Sequence, residues 1–168
     1  VQYTSRFDDF VGGFDGVLQF KKDAEKDNFL GLGIDVTYTG IHSPVYKQKL
    51  FDLLDDIKTN NLNIKYFTNG QGEMMQEFSV PKIILNFTVK DVREIAKFVK
   101  GNDNAEVVEK FKHSSQKLTV LKQVLIACEL LADFSYEYHA GISNEYREVI
   151  SSIKKLAQDN EELQSVLA

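Results

Sequence analysis

The chain has no tryptophan, one cysteine and two prolines, and its arginines are only Arg6, Arg93 and Arg147. A single cysteine excludes an internal disulfide framework. Cys128 stands among apolar residues and reads as a small buried hydrophobe rather than a nucleophile. With so few guanidinium forks, a phosphate-rich ligand would have to rely on lysines such as Lys65 or Lys82. There is no G-x-S-x-G elbow for serine hydrolysis and no Gly-rich loop ending in Lys-Ser or Lys-Thr. His42, His113 and His139 fall at separate element ends, without the close spacing of a helical metal site. No metal, cofactor or catalytic residue is therefore expected, and the chain does not read as an enzyme.

The first residues lack a charged segment followed by an apolar one, so no signal peptide is expected. The sequon at Asn86-Phe87-Thr88 then reads as coincidence. No apolar run is long and uninterrupted enough to span a bilayer, and a cytoplasmic location is expected. A formal net charge of −5, with lysines scattered among acids, argues against nucleic acid as a partner.

What is present is ordinary for a globular chain: 168 residues, 43% hydrophobic and 27% charged. That length fits a single domain over residues 1–168, or one domain of a longer protein. Residues 118–134 are apolar almost all round, interrupted by Lys122, Gln123, Glu129 and Asp133. A helix of that kind has to be covered on several sides, which predicts a central core helix.

Phe7, Phe10, Val11, Phe14, Val17 and Leu18 recur at helical spacing, although Gly12, Gly13 and Gly16 each cost about 1 kcal/mol in a helix interior. Two readings follow. A helix carrying Gly12 and Gly16 on one side would let a second backbone approach, within the chain or from another subunit. Alternatively the glycines break the segment and residues 16–21 form a short strand. The helix is favoured. Residues 29–40 are the clearest strand: Leu30, Leu32, Ile34, Val36 and Tyr38 face the core, while Gly31, Gly33, Asp35, Thr37 and Thr39 share the other face.

Ser43-Pro44 opens a helix striped by Tyr46, Leu50, Leu53, Leu54 and Ile57. Leu62, Ile64 and Tyr66 alternate as a strand, Asn69-Gly70 marks a hairpin turn, and Pro81 marks a bulge, an edge or a break in the return strand. Ile83 to Phe87 read as an inner strand. Thr88 with Asp91 opens a helix whose Val92, Ile95, Ala96 and Val99 face inward. At the end, Tyr146, Val149, Ile153, Leu156, Asn160, Leu163 and Leu167 follow a heptad with Asn160 at an a position. That pattern fits a helix packed on its own domain or one paired with a second chain.

The string Gly33-Ile34-Asp35-Val36 is similar to the first strand of actin-like ATPases and of RNase H-like nucleases. The first family needs a glycine turn where Val36-Thr37-Tyr38 stands. The second needs carboxylates on neighbouring strands, where the nearest residue is Asn86. Neither family is assigned.

The expected architecture is α+β: a mostly antiparallel sheet of about four strands against a helical layer, with a central apolar helix and a C-terminal heptad-patterned helix. The expected function is a non-enzymatic assembly module forming a homo-oligomer, most simply a dimer, through Gly12, Gly16, Ile153, Leu156, Asn160 and Leu163. The alternative is a sensor of a small, possibly nucleotide-like ligand on the polar strand face, using Asp35, Thr37, Thr39, Tyr66 and Asn86.

Overall fold

Strict alternation through residues 29–37 does make a strand, and it organises the sheet. The computed structural model describes residues 2–3, 12–21, 29–65, 67–68, 74–75, 78–99, 106, 109–111, 114–160, 163–164 and 167. The expected Tyr66 and the first part of the proposed N-terminal helix lie outside these. Strand β1 (Gln2–Tyr3) adds to β2 (Gly16–Lys21), which runs antiparallel to β3 (Phe29–Thr37). The chain then passes through helix α1 (Pro44–Thr59) and two short ladders, β4 (Asn63–Ile64) with β7 (Phe78–Ser79) and β5 (Phe67–Thr68) with β6 (Met74–Met75). It returns as β8 (Lys82–Asn86), parallel to β3. The helices α2 (Val89–Val99), α3 (Ser115–Tyr136) and α4 (Ala140–Gln158) follow.

The fold is α+β with a mixed sheet packed on helices, so the expectation of a mostly antiparallel sheet gives way at its last pair, β3 with β8. The reason is the crossover. A long connection containing α1 separates β3 from β8, which permits parallel pairing, whereas a hairpin would have imposed antiparallel pairing. Pro81 marks the break: it separates β7 from β8, and its carbonyl accepts the Gly33 N–H at 2.8 Å.

The favoured helix over residues 7–18 is corrected from Gly16 onward, where the chain is strand β2. The periodic Phe14 and Val17 are buried together with Ile64 and Val80 in a small cluster of their own. Tertiary packing, rather than one helical face, accounts for their spacing. Gly16 therefore does not share a helix face with Gly12; it pairs with both Tyr3 and Ile34.

The main core gathers Leu30, Leu32 and Ile34 of β3, Ile83, Ile84 and Leu85 of β8, Leu53 and Ile57 of α1, and the inner faces of α3 and α4. Full burial of each large aliphatic side chain contributes about 1.5–3 kcal/mol. On α4 the buried positions are Ile142, Ser143, Tyr146, Val149, Ile153 and Ala157. The heptad is thus used within the chain, with Ile153 and Leu163 in the core, Leu156 on the surface and Asn160 beyond the helix end.

Three expectations of burial are corrected. At the end of β3, Val36 and Tyr38, expected to face the core, are 37% and 73% exposed, whereas Asp35 and Thr37 on the other face are buried. On α3, Val124, Leu125, Cys128, Leu131 and Ala132 are buried, but Ile126 and Leu130 are 57% and 68% exposed. The helix is covered on its inner sides by α4 and β8 and left open on its outer stripe. On α2 the Thr88–Asp91 capping box forms as expected, with mutual bonds of 2.8 and 3.2 Å, yet Val92 and Ala96 are exposed.

The expectation of an inner strand over residues 83–87 is corrected: β8 is the last strand of its sheet and would present open backbone groups. Side chains close that edge. Tyr146 Oη donates to the Lys82 carbonyl at 2.6 Å and accepts from the Lys82 N–H at 3.2 Å, and the Asn86 N–H donates to Gln123 Oε1 at 3.2 Å. The helices α3 and α4 are thereby docked on the strand that begins at Lys82.

Candidate functional site

The polar face of β3 carries the candidate site. Parallel register sets Gly33 beside Lys82, Asp35 beside Ile84 and Thr37 beside Asn86. Because strand side chains alternate, Asp35, Thr37, Lys82 and Asn86 share one face. Thr37 and Thr39 join through their hydroxyls at 3.0 Å. Four of the five ligand residues expected from sequence therefore stand on neighbouring positions.

The glycines on this face do not leave open space for a ligand. A Cβ at Gly33 would meet the Phe14 ring at 2.4 Å, and one at Gly31 would meet Val80 and Val17. The absent side chains instead seat residues 12–15 against the strand. Gly13 turns that segment at φ +61°, a conformation suited to glycine. Its Cα side faces both Asp35 Oδ2 and Lys82 Nζ, which an added Cβ would approach at 3.4 and 3.6 Å.

This turn delivers Asp15, a residue the sequence reading missed. The last β2–β3 pair is Gly16 with Ile34, so Asp15 comes opposite Asp35 one step further on. The Asp15 N–H donates to the Ile34 carbonyl at 2.8 Å, and its carboxylate accepts the Val36 N–H. The signal was Phe14-Asp15-Gly16 at the head of the alternative strand, and preferring a helix there hid it.

Helix α1 supplies the opposing charges. Lys49 Nζ donates to Asp35 Oδ1, and Asp56 Oδ2 lies 3.5 Å from Lys82 Nζ. Asp35 and Lys82 are each only 5% exposed. Burial raises the Asp35 carboxyl above its ordinary value, the Lys49 bond and charge pull it back, neighbouring Asp15 pushes it up again, and Lys82 lowers it. The cluster thus joins three carboxylates, Asp15, Asp35 and Asp56, and two ammonium groups, Lys49 and Lys82, at the meeting of β2, β3, β8 and α1. Among the described residues no group of three or more His, Cys, Asp or Glu side chains could hold a metal ion. Any cation here would take two carboxylates and complete its shell with water or ligand oxygens, a pattern typical of magnesium.

Three other chemistry-bearing groups, Cys128, Tyr146 and His139, are engaged in the packing of the fold. Cys128 is buried and its thiol is pushed up to about 12 by desolvation, followed by the charge of Glu129. Burial likewise raises the Tyr146 hydroxyl, which serves the β8 edge. His139 is engaged with the Lys58 carbonyl at 3.1 Å. No helix among the described residues is long and apolar enough to cross a membrane. No family model, curated protein or solved structure matches this chain.

Proposed function

We propose that the chain is a divalent-cation-dependent phosphoester hydrolase centred on Asp15, Asp35 and Lys49. The observation that carries this reading is the meeting of two carboxylates from adjacent strands with a lysine already against one of them. In this reading Asp35 and Asp15 would ligate a hydrated cation beside Gly13, where Asp35 Oδ2 faces the turn and Asp15 is anchored by the Val36 N–H. A cation held there would supply Lewis-acid polarisation of a phosphoryl oxygen and a more acidic water. The reaction adds a water oxygen to phosphorus with release of its proton to solvent, and it breaks the ester P–O bond with protonation of the leaving oxygen from solvent. Lys49 holds a fixed positive charge where negative charge develops on the phosphoryl group.

The test is hydrolysis of bis(p-nitrophenyl) phosphate and p-nitrophenyl phosphate with Mg2+, Mn2+ or EDTA. The expected result is cation-dependent turnover that Asp35→Ala and Asp15→Ala each reduce at least 100-fold. Absence of turnover with either cation on both esters overturns catalysis. Mn2+ binding without turnover would favour the ligand-sensing reading at the same residues.

A second reading, the self-associating module, is supported by the exposed Ile126 and Leu130 on α3 and by exposed Phe51 on α1. Beside them an apolar cleft of about 230 Å³ is lined by residues including Leu50, Leu54, Leu130 and Phe134.

A further inference from the structure

A buried lysine is costly unless it is paired, and the partners of Lys82 come from separate parts of the chain. Its nearest carboxylate oxygen, Asp56 Oδ2, is 3.5 Å away. Its shortest contact is a 2.9 Å hydrogen bond to the carbonyl of Gly12, and its ammonium lies 4.9 Å from the centre of the Phe14 ring. A methionine or leucine would fill this position without a buried charge. What the lysine adds is a tie between three parts of the chain: β8 at its own backbone, α1 through Asp56, and the turn at residues 12–15 through Gly12 and Phe14.

We infer that Lys82 is the positioning residue of this site, clamping the turn at residues 12–15 onto β3 so that the Asp15 carboxylate stands beside Asp35. The inference rests on the hydrolase reading for its functional meaning, but the clamp is a separate physical claim. Lys82 acts on the cation site through the backbone. Its bond to the Gly12 carbonyl sets the start of the turn, Phe14 fills the slot over Gly33, and Asp15 is then delivered to the Val36 N–H. Without the ammonium group the turn is held to β3 only by Phe14 packing and the Asp15 bonds, and with its tie to β8 and α1 gone the Asp15–Val36 bond opens more often.

Lys82→Met and Asp56→Asn test this. Lys82→Met keeps the unbranched apolar stem and removes the ammonium group, and Asp56→Asn loosens the clamp from its more exposed end. The first readout is amide hydrogen exchange at Val36, referenced to Cys128 in α3, and the second is Mn2+ affinity by calorimetry. In Lys82→Met, exchange at Val36 is expected to quicken at least tenfold relative to Cys128, with Mn2+ affinity falling at least tenfold. Asp56→Asn is expected to move both in the same direction by a smaller factor, and it decides the question if Lys82→Met does not fold. Wild-type exchange at Val36 in the folded variants overturns the clamp, as does acceleration equal at Val36 and Cys128, which is global loosening. If the wild type binds no Mn2+, the hydrolase reading falls, and Val36 exchange alone still decides the clamp.

Discussion

At the scale of single residues, Asp35 concentrates the chemistry because it is buried with its charge only partly compensated. Its carboxyl is raised from 3.8, first by desolvation and also by Asp15, against the opposing pull of Lys49. A carboxyl raised in the folded chain binds its proton more tightly there than in the unfolded chain. Its contribution to stability is therefore fully present below the unfolded value of about 3.9 and is lost as pH rises through the folded value. Asp35→Asn removes that dependence. In urea unfolding across this window, the stability of the wild type relative to Asp35→Asn is expected to decline with rising pH and then level off. A difference independent of pH would mean that burial does not raise this carboxyl. Asp91 has the opposite sign. Its hydrogen bonds from Thr88 lower its carboxyl, so the capping box contributes above the ordinary carboxylate range and fails as pH falls through the lowered value.

At the scale of elements, what could be read from sequence depended on whether local pattern or distant packing decided the outcome. Strand β3 followed its alternation through Leu30, Leu32 and Ile34, but it ends at Thr37 rather than Gly40, and Val36 and Tyr38 are exposed instead of in the core. Helix α1 began where Ser43-Pro44 placed it, with Ser43 Oγ accepting the Tyr46 N–H at 3.1 Å. Those signals lie within a few residues of the structures they specify. The parallel pairing of β8, the seating of Phe14 on Gly33 and the arrival of Asp15 all depend on contacts between residues far apart in the chain, which hydrophobic period cannot report. The same is true of Lys49, which no local pattern singles out, and of Lys82, which the sequence offers only as a possible phosphate partner; their places beside Asp35 and Asp56 depend on the docking of α1 on the sheet. Tyr146 illustrates the cost of such a distant contact. Its hydroxyl closes both the N–H and the carbonyl of Lys82, so Tyr146→Phe leaves two buried backbone groups without that partner. A loss of about 1–3 kcal/mol is expected in chemical denaturation. A loss well under that range would indicate that water replaces the hydroxyl at the β8 edge.

At the scale of the whole molecule, the helical layer separates stability from any association. The inner face of α4 supplies Tyr146, Val149, Ile153 and Ala157 to the core. Deleting α4 would remove that packing and unfold the domain, so truncation cannot report on oligomer formation. The proposed self-association has to be probed on α3, where Ile126 and Leu130 lie one helical turn apart on the outer stripe. Exposed substitutions away from caps and networks generally change stability by within about 0.5 kcal/mol. The double variant Ile126→Lys, Leu130→Lys should therefore keep the melting temperature of the folded unit while placing two buried charges in any interface formed there. If the chain associates through this stripe, sedimentation velocity gives a dimer for the wild type and a monomer for the double variant. A wild type that stays monomeric up to high protein concentration removes the assembly reading. A double variant that stays dimeric moves the interface off α3.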